Sequence, residues 1–272
     1  MIIEFLKHLT IPSPSRLKEI GYLKELLAIQ SRYNRCKQHW QQHVETTKQQ
    51  IVESARTCKQ HRKVVLMGTG LLLDIPVQEL SQMFTEVLLI DIIHVPEVER
   101  YCRQFANVRC VHHDVTEMVN QLYELGTMKG KGGLPTHAVQ PTYLLDDPEI
   151  DLVVSVNIMS QLPIMPQLYL ERTCGFKESD FRGFNSSMVQ QHLEYLRKFN
   201  ASVLLITDVH RHLLDATGKI VDTENVIEHI SLPKHRHEWK WDIAPRPEEY
   251  REWDVVHVVQ SIPLREQAEE TV

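Results

Sequence analysis

The stretch KVVLMGTGLLLDIPVQELSQMFTEVLLID, residues 63–91, decides the fold. It opens on the continuous apolar run Val64-Val65-Leu66-Met67, the pattern of a strand buried on both faces of a parallel sheet. Gly68-Thr69-Gly70 follows at once. After Pro76, apolar residues at Val77, Leu80, Met83 and Phe84 recur at helical spacing, and a second buried run, Val87-Leu88-Leu89-Ile90, ends on Asp91. Strand, glycine turn, helix, strand and terminal acid form one crossover unit. The layout suits an adenosine-containing ligand: glycines let the backbone approach it closely, and the acid accepts hydrogen bonds from ribose hydroxyls. The alternative is a plain strand-to-helix turn, since Leu73 fills the third position of the three-glycine dinucleotide fingerprint.

Downstream, residues 96–105 read as a helix and 108–112 as a third strand, with His112 and His113 on opposite sides of its end. Asp114-Val115-Thr116-Glu117 has the form of a capped helix start. Residues 126–141, which include MKGKGG, are expected to be a surface loop, because no buried strand precedes them and the phosphate-loop spacing is absent. DLVVSV, residues 151–156, is a fourth buried strand ending at Asn157. Residues 162–166 and 175–185 read as irregular connections, 188–199 as a helix, and 203–206 as a fifth strand closed by Thr207-Asp208. Alternating runs at 226–230 and 239–243, then a strand at 255–259, fit antiparallel strands closing a parallel sheet.

Upstream, residues 16–55 are polar, glutamine-rich and nearly free of helix breakers, which predicts two helices or one bent helix. Arg32, Cys36, Trp40 and His43 step by four, four and three, so they share a face, and such a stripe is expected to dock the helices on the core. The expected organisation is a helical extension over 1–60, an α/β domain over 61–265 and a frayed acidic tail over 266–272.

With 42% hydrophobic residues in 272, the chain can bury one large core. A net charge of −6 leaves no global basic field, so nucleic acid is not an expected partner. Five scattered cysteines without a CxxC predict reduced thiols and a cytoplasmic setting. The opening MIIEFLKHLTIPSPS is unlike a signal peptide, and no apolar stretch reaches membrane-spanning length. His210-Arg211-His212 and His235-Arg236-His237 lack a spaced Cys or Glu partner, so no metal site is predicted.

Taken together and in this order, the motifs over residues 63–260 resemble the class I S-adenosylmethionine-dependent methyltransferase family. The resemblance implies a Rossmann-like, mostly parallel seven-stranded sheet with helices on both faces and an antiparallel closing hairpin. It implies S-adenosylmethionine as cofactor, held by Gly68, Thr69, Gly70, Asp91, Asp114 and Asn157. It places Asn157 near the transferring methyl as a catalytic residue, and implies in-line transfer to a small-molecule acceptor. Helices before the first strand often cover the substrate side in this family, which would make Trp40 a wall and His43 a catalytic base. Two features depart from the family pattern: no acid precedes the glycines in the first strand, and the third glycine is missing. The fourth motif is not NPPY or DPPY, and no proline-cysteine nucleophile is present, so resemblance to the DNA-methylating branches is weak. Two other readings stay open: a non-catalytic binding or scaffold protein of the same fold, and an NAD(P)-dependent oxidoreductase, which shares the glycine turn and Asp91 but does not predict the hairpin.

Overall fold

The computed structural model of the chain describes residues 11–227 and 230–266. The expected frayed tail lies outside the described residues apart from Glu266. Two helices, α1 (Ser15–Ile20) and α2 (Tyr22–Arg56), precede the sheet. Strands β1 (Lys63–Met67), β2 (Glu86–Asp91), β3 (Val108–His112) and β4 (Ile150–Val156) alternate with helices α3 (Val77–Met83), α4 (Pro96–Cys102) and α5 (Val119–Thr127). Then come α6 (Ile164–Cys174), α7 (Arg182–Lys198), β5 (Ser202–Leu214), β6 (Ile220–Asn225), β7 (His237–Ala244) and β8 (Asp254–Arg265).

Among the described residues the strands form one sheet in the order β3-β2-β1-β4-β5-β8-β7, with β6 paired to β5 off that path. β1 to β5 run parallel, while β8 is antiparallel to β5 and β7. This is the parallel core and closing hairpin that the sequence implies. Alternate residues of β1 serve opposite faces: Val64 and Leu66 join the cluster that holds Leu23 and Ile51 of α2, whereas Val65 and Met67 join Leu193 and Leu196 of α7. β1 lies between β2 and β4, so the chain builds outward in both directions from it, and the crevice at that switch point is where such sheets bind ligands.

Helix α2 is the expected bent helix, broken at Cys36 (φ −105°, ψ 17°). Its C-terminal half docks on the closing hairpin: Trp40 Nε1 donates to the Ile243 carbonyl at 3.0 Å, and Ser261 Oγ donates to Gln50 Oε1 at 2.8 Å. The docking face expected of Cys36, Trp40 and His43 is therefore present, and all three are buried.

Several boundaries differ from the sequence expectation. Residues 162–166 are not a loop: after a 3₁₀ turn at Met159–Gln161, Pro163 caps α6, and Pro166 falls in its first turn, where a missing N–H breaks no helical bond. Much of 175–185 is likewise ordered, as a 3₁₀ turn (Glu178–Phe181) leading into α7. β5 does not stop at Ile206 but runs on to Leu214. Beyond Ile206 it leaves β4 and pairs with β8 and β6, so Asp208 to His212 lie in a strand rather than in a loop. β6 is an eighth strand, at 220–225 rather than 226–230. It is exposed along its whole length, so no buried alternation marks it in the sequence. Residues 228–229 of the expected run lie outside the described residues.

Burial also sets an acid limit on the fold. It pushes the pKa of His43 down to about 3 and those of His94 and His192 to about 4, so all three are neutral in the native state. In the unfolded chain each binds a proton as pH falls below its usual 6.5. The native state cannot follow until pH reaches the lower values, so stability is full above pH 6.5 and declines beneath it. Each histidine accounts for up to about 1.4 kcal/mol per pH unit in that window. The urea midpoint should fall steadily between pH 6.5 and 4. His192, buried against Ser155 Oγ at 2.9 Å, offers the control: His192→Gln should flatten the slope. A midpoint independent of pH across this range contradicts neutral burial.

Candidate active site

The C-terminal ends of β1 to β4 open into a cleft of about 240 Å³, roofed by the first half of α2 through Tyr22, Leu26 and Ile29. The glycine turn forms its floor. The Gly68 N–H donates to the Ile90 carbonyl at 3.0 Å, and a Cβ on Gly68 would run into the Ile158 side chain and the Val156 carbonyl. With φ at +84°, only glycine fits without strain. Thr69 is buried and spends its hydroxyl on the Ile90 carbonyl (3.3 Å) and His94 Nε2 (3.0 Å), so it anchors the turn. Gly70 takes a left-handed φ of +41° and points its N–H at Asp91 Oδ2, 2.7 Å away.

Asp91 thus ends β2 within the turn's reach. Its other oxygen accepts the Ile93 N–H at 3.3 Å. Burial pushes its carboxyl up, against the pull of the Gly70 and Ile93 amides. Two backbone donors leave roughly half of the four or so acceptor positions of a carboxylate open.

Asp114 is placed in the cleft wall but is not free. Its oxygens accept the Thr116 N–H (2.9 Å) and hydroxyl (2.7 Å) and the Met118 (2.9 Å) and Val119 (2.8 Å) N–H groups. Those bonds use about all the lone pairs of a carboxylate. The side chain caps the entry to α5, which begins at Val119, later than the Asp114 start read from the sequence.

Asn157 adopts a left-handed φ of +51°, a conformation Asn tolerates better than most residues. Its amide donates to Asp74 Oδ2 at 2.8 Å and lies 3.4 Å from His43 Nε2, while its own Oδ1 is buried without a partner. Asp74 is the residue that the sequence reading passed over. It supplies a carboxylate to the cleft from the turn after β1, where the family acid of the first strand is missing. The chain makes a further turn at 71–76 before α3 starts, so Leu73, the position of the third glycine, lies outside the helix.

His43 is corrected from base to buried donor. Trp239 Nε1 donates to its Nδ1 at 3.1 Å, so the neutral ring carries its proton on Nε2. Its face stacks on Trp241 with centroids 4.0 Å apart and planes within 6°. With a pKa near 3, it has little basicity to offer at neutral pH. Nε2 lies 3.9 Å from Asp74 Oδ2, so histidine, amide and carboxylate converge on one corner of the cleft. Of the two histidines at the end of β3, His113 lines the cleft and stacks on Tyr143 at 3.9 Å, whereas His112 turns outward to Glu99 at 3.1 Å.

Four carboxylates line the cleft (Glu25, Asp74, Asp91 and Asp114), and among the described residues no Lys or Arg does. A second, polar chamber of about 840 Å³ adjoins it, sharing Trp40, Trp241 and Gln161. Among the described residues no group of three His, Cys, Asp or Glu is arranged to hold a metal ion, and no helix is long and apolar enough to cross a membrane.

No protein-family model and no curated protein matches the sequence. Several solved structures are similar to the chain over most of its length. The chain is 12% identical to 1,6-didemethyltoxoflavin-N1-methyltransferase of Burkholderia thailandensis, solved with S-adenosylhomocysteine, covering 88% of this chain and 90% of that one at a TM-score of 0.32. It is 10% identical to the 23S rRNA methyltransferase ErmE, covering 81% and 71% at a TM-score of 0.31. It is 11% identical to phosphoethanolamine N-methyltransferase 1 of Haemonchus contortus, covering 90% of this chain but 52% of that one at a TM-score of 0.30. The strand order and closing hairpin define a Rossmann-like fold.

Proposed function

We propose that the cleft binds S-adenosylmethionine and that the chain is a methyltransferase acting on a small molecule. The observation that carries this reading is the charge of the cleft: four carboxylates and, among the described residues, no lining Lys or Arg. A sulfonium and an ammonium are favoured there, whereas the pyrophosphate of a nicotinamide dinucleotide would be repelled at short range in a poorly solvated site. Lys48 acts on Asp74 from outside the lining.

The residues present fit the cofactor. Asp91 has open acceptor positions for two ribose hydroxyls, and Asp74 together with the orphaned Asn157 Oδ1 suits an ammonium. When bound, S-adenosylmethionine supplies an electrophilic methyl group. The chain's part is to fix the donor, with Gly70 admitting it to the backbone, and to exclude water beneath Tyr22 and Leu26. The adjoining chamber has the dimensions of a small-molecule pocket, which supports a small acceptor. Five free cysteines support a reducing, cytoplasmic setting.

A non-catalytic binding or scaffold protein of the same fold, without efficient cofactor use, is the second reading, and one observation favours it: Asp114 spends its carboxylate on Thr116, Met118 and Val119 and has little left for an adenine amino group. A thermal-shift panel of S-adenosylmethionine, S-adenosylhomocysteine, NAD and NADP tests the binding claim. At a hundred times its dissociation constant a ligand stabilises by about 2.7 kcal/mol. The adenosyl sulfur compounds should raise the melting temperature and the dinucleotides should not; the reverse order defeats the reading.

A further inference from the structure

The amino-acid end of S-adenosylmethionine carries an ammonium and a carboxylate on the same carbon. An ammonium seated at Asp74 and the orphaned Asn157 Oδ1 therefore brings an anion into the same corner of the cleft. A carboxylate taken out of water needs a counter-ion or several hydrogen-bond donors. Among the described residues no Lys or Arg lines the cleft, and Lys48 of α2, which acts on Asp74, stands outside the lining. The glycine turn has spent its amides: the Gly68 and Thr69 N–H groups donate to the Ile90 carbonyl at 3.0 and 3.3 Å, and the Gly70 N–H donates to Asp91 at 2.7 Å.

Side-chain donors of the lining are committed in the same way. The Asn157 amide donates to Asp74 at 2.8 Å, the Gln161 amide to the Asn157 carbonyl at 2.7 Å and the Thr116 hydroxyl to Asp114 at 2.7 Å. Donors that remain, the Tyr22 hydroxyl and the buried, unpartnered Trp241 indole N–H among them, are neutral and do not offset a full negative charge. The corner is thus rich in acceptors. Burial pushes the Asp74 carboxyl up against the pull of the Asn157 amide, as expected of an anion short of positive partners. An ammonium alone relieves that shortage, whereas a second carboxylate beside Asp74 deepens it.

We propose that the cleft prefers an adenosyl sulfur compound whose side chain carries an ammonium and no carboxylate, the decarboxylated form of S-adenosylmethionine, and that Asp74 sets this preference. The inference rests on the cofactor reading above. S-adenosylmethionine still enters the cleft, but its carboxylate opposes the fit. The decarboxylated form brings a sulfonium and an ammonium to a cleft lined by Glu25, Asp74, Asp91 and Asp114, with no anion to place.

The probes are three stable thioethers titrated into the full chain by calorimetry at neutral pH: S-adenosylhomocysteine, its decarboxylated analogue, in which a hydrogen replaces the carboxylate, and its carboxamide, which keeps the bulk without the charge. Like charges brought together in a closed site are strongly disfavoured, so the decarboxylated analogue should bind wild type at least about tenfold more tightly than S-adenosylhomocysteine. The carboxamide should also bind more tightly than the acid. Asp74→Asn should weaken the decarboxylated analogue more than the acid and so move their ratio towards one. S-adenosylhomocysteine binding as tightly as the decarboxylated analogue, or a carboxamide no better than the acid, overturns the proposal. A ratio unchanged in Asp74→Asn overturns the role of Asp74. The wild-type comparison stands whether or not the variant folds. Wild type that binds none of the three defeats the cofactor reading itself, whereas binding without the preference defeats only this inference.

Discussion

Asp91→Ala is expected to weaken binding of S-adenosylhomocysteine by about 100-fold or more in calorimetry. A carboxylate hydrogen bond contributes about 1.5–3 kcal/mol, so losing two ribose contacts costs at least about 3 kcal/mol, and each 1.4 kcal/mol is a factor of ten. The same carboxylate accepts the N–H groups of Gly70 at 2.7 Å and Ile93 at 3.3 Å. Alanine therefore leaves two turn amides without partners and should lower stability as well. Asp91→Asn separates the effects, because its amide oxygen can still accept from Gly70 while the negative charge is gone. It should melt close to wild type yet bind at least tenfold more weakly. Normal affinity in Asp91→Asn would assign Asp91 to the turn alone.

Trp241→Ala should be the most damaging single change to stability. The ring stacks on His43 at 4.0 Å, meets Trp40 edge-on at 4.8 Å and is 7% exposed, so it joins α2 to the sheet. Truncating a buried aromatic to alanine costs about 3–5 kcal/mol. At about 2–4 °C per kcal/mol for a chain of this size, the melting temperature should drop by roughly 10 °C. Trp241→Phe keeps much of the stacking and should recover more than half of that loss. Because the ring also walls off cleft from chamber, the alanine variant should admit water to His43 and raise its pKa towards the ordinary value. A loss below about 1 kcal/mol would mean that α2 is held elsewhere.

The parallel core was legible because its signals are local. Residues 63–91 carry strand, turn, helix and strand with no competing pattern, and the limits expected for β3 match the structure. The N-terminal helices were also legible, from a long polar stretch nearly free of breakers, although nothing in it marks the break at Cys36. Signals failed where context decides. Pro163 and Pro166 read as loop punctuation but start a helix, and the fifth strand, expected to close at Thr207-Asp208, runs on between β6 and β8. At the site, Gly68, Gly70, Asp91 and Asn157 converge as the spacing implied. Sequence shows that an acid follows a strand but not what its lone pairs are spent on: Asp114, expected as a ligand contact, accepts the Met118 and Val119 N–H groups at the start of α5. Asp74, hidden in a leucine-rich turn, is placed by tertiary packing and carries no motif.

The central claim is that an acidic cleft, with no basic lining among the described residues, selects a cationic adenosyl donor over a dinucleotide. Isothermal titration of S-adenosylmethionine and of NAD into the full chain at low ionic strength tests it directly. The expected result is one S-adenosylmethionine bound per chain, weakened when Asp74 is replaced by asparagine, with no heat from NAD at millimolar concentration. Saturable NAD binding with none for S-adenosylmethionine would contradict it.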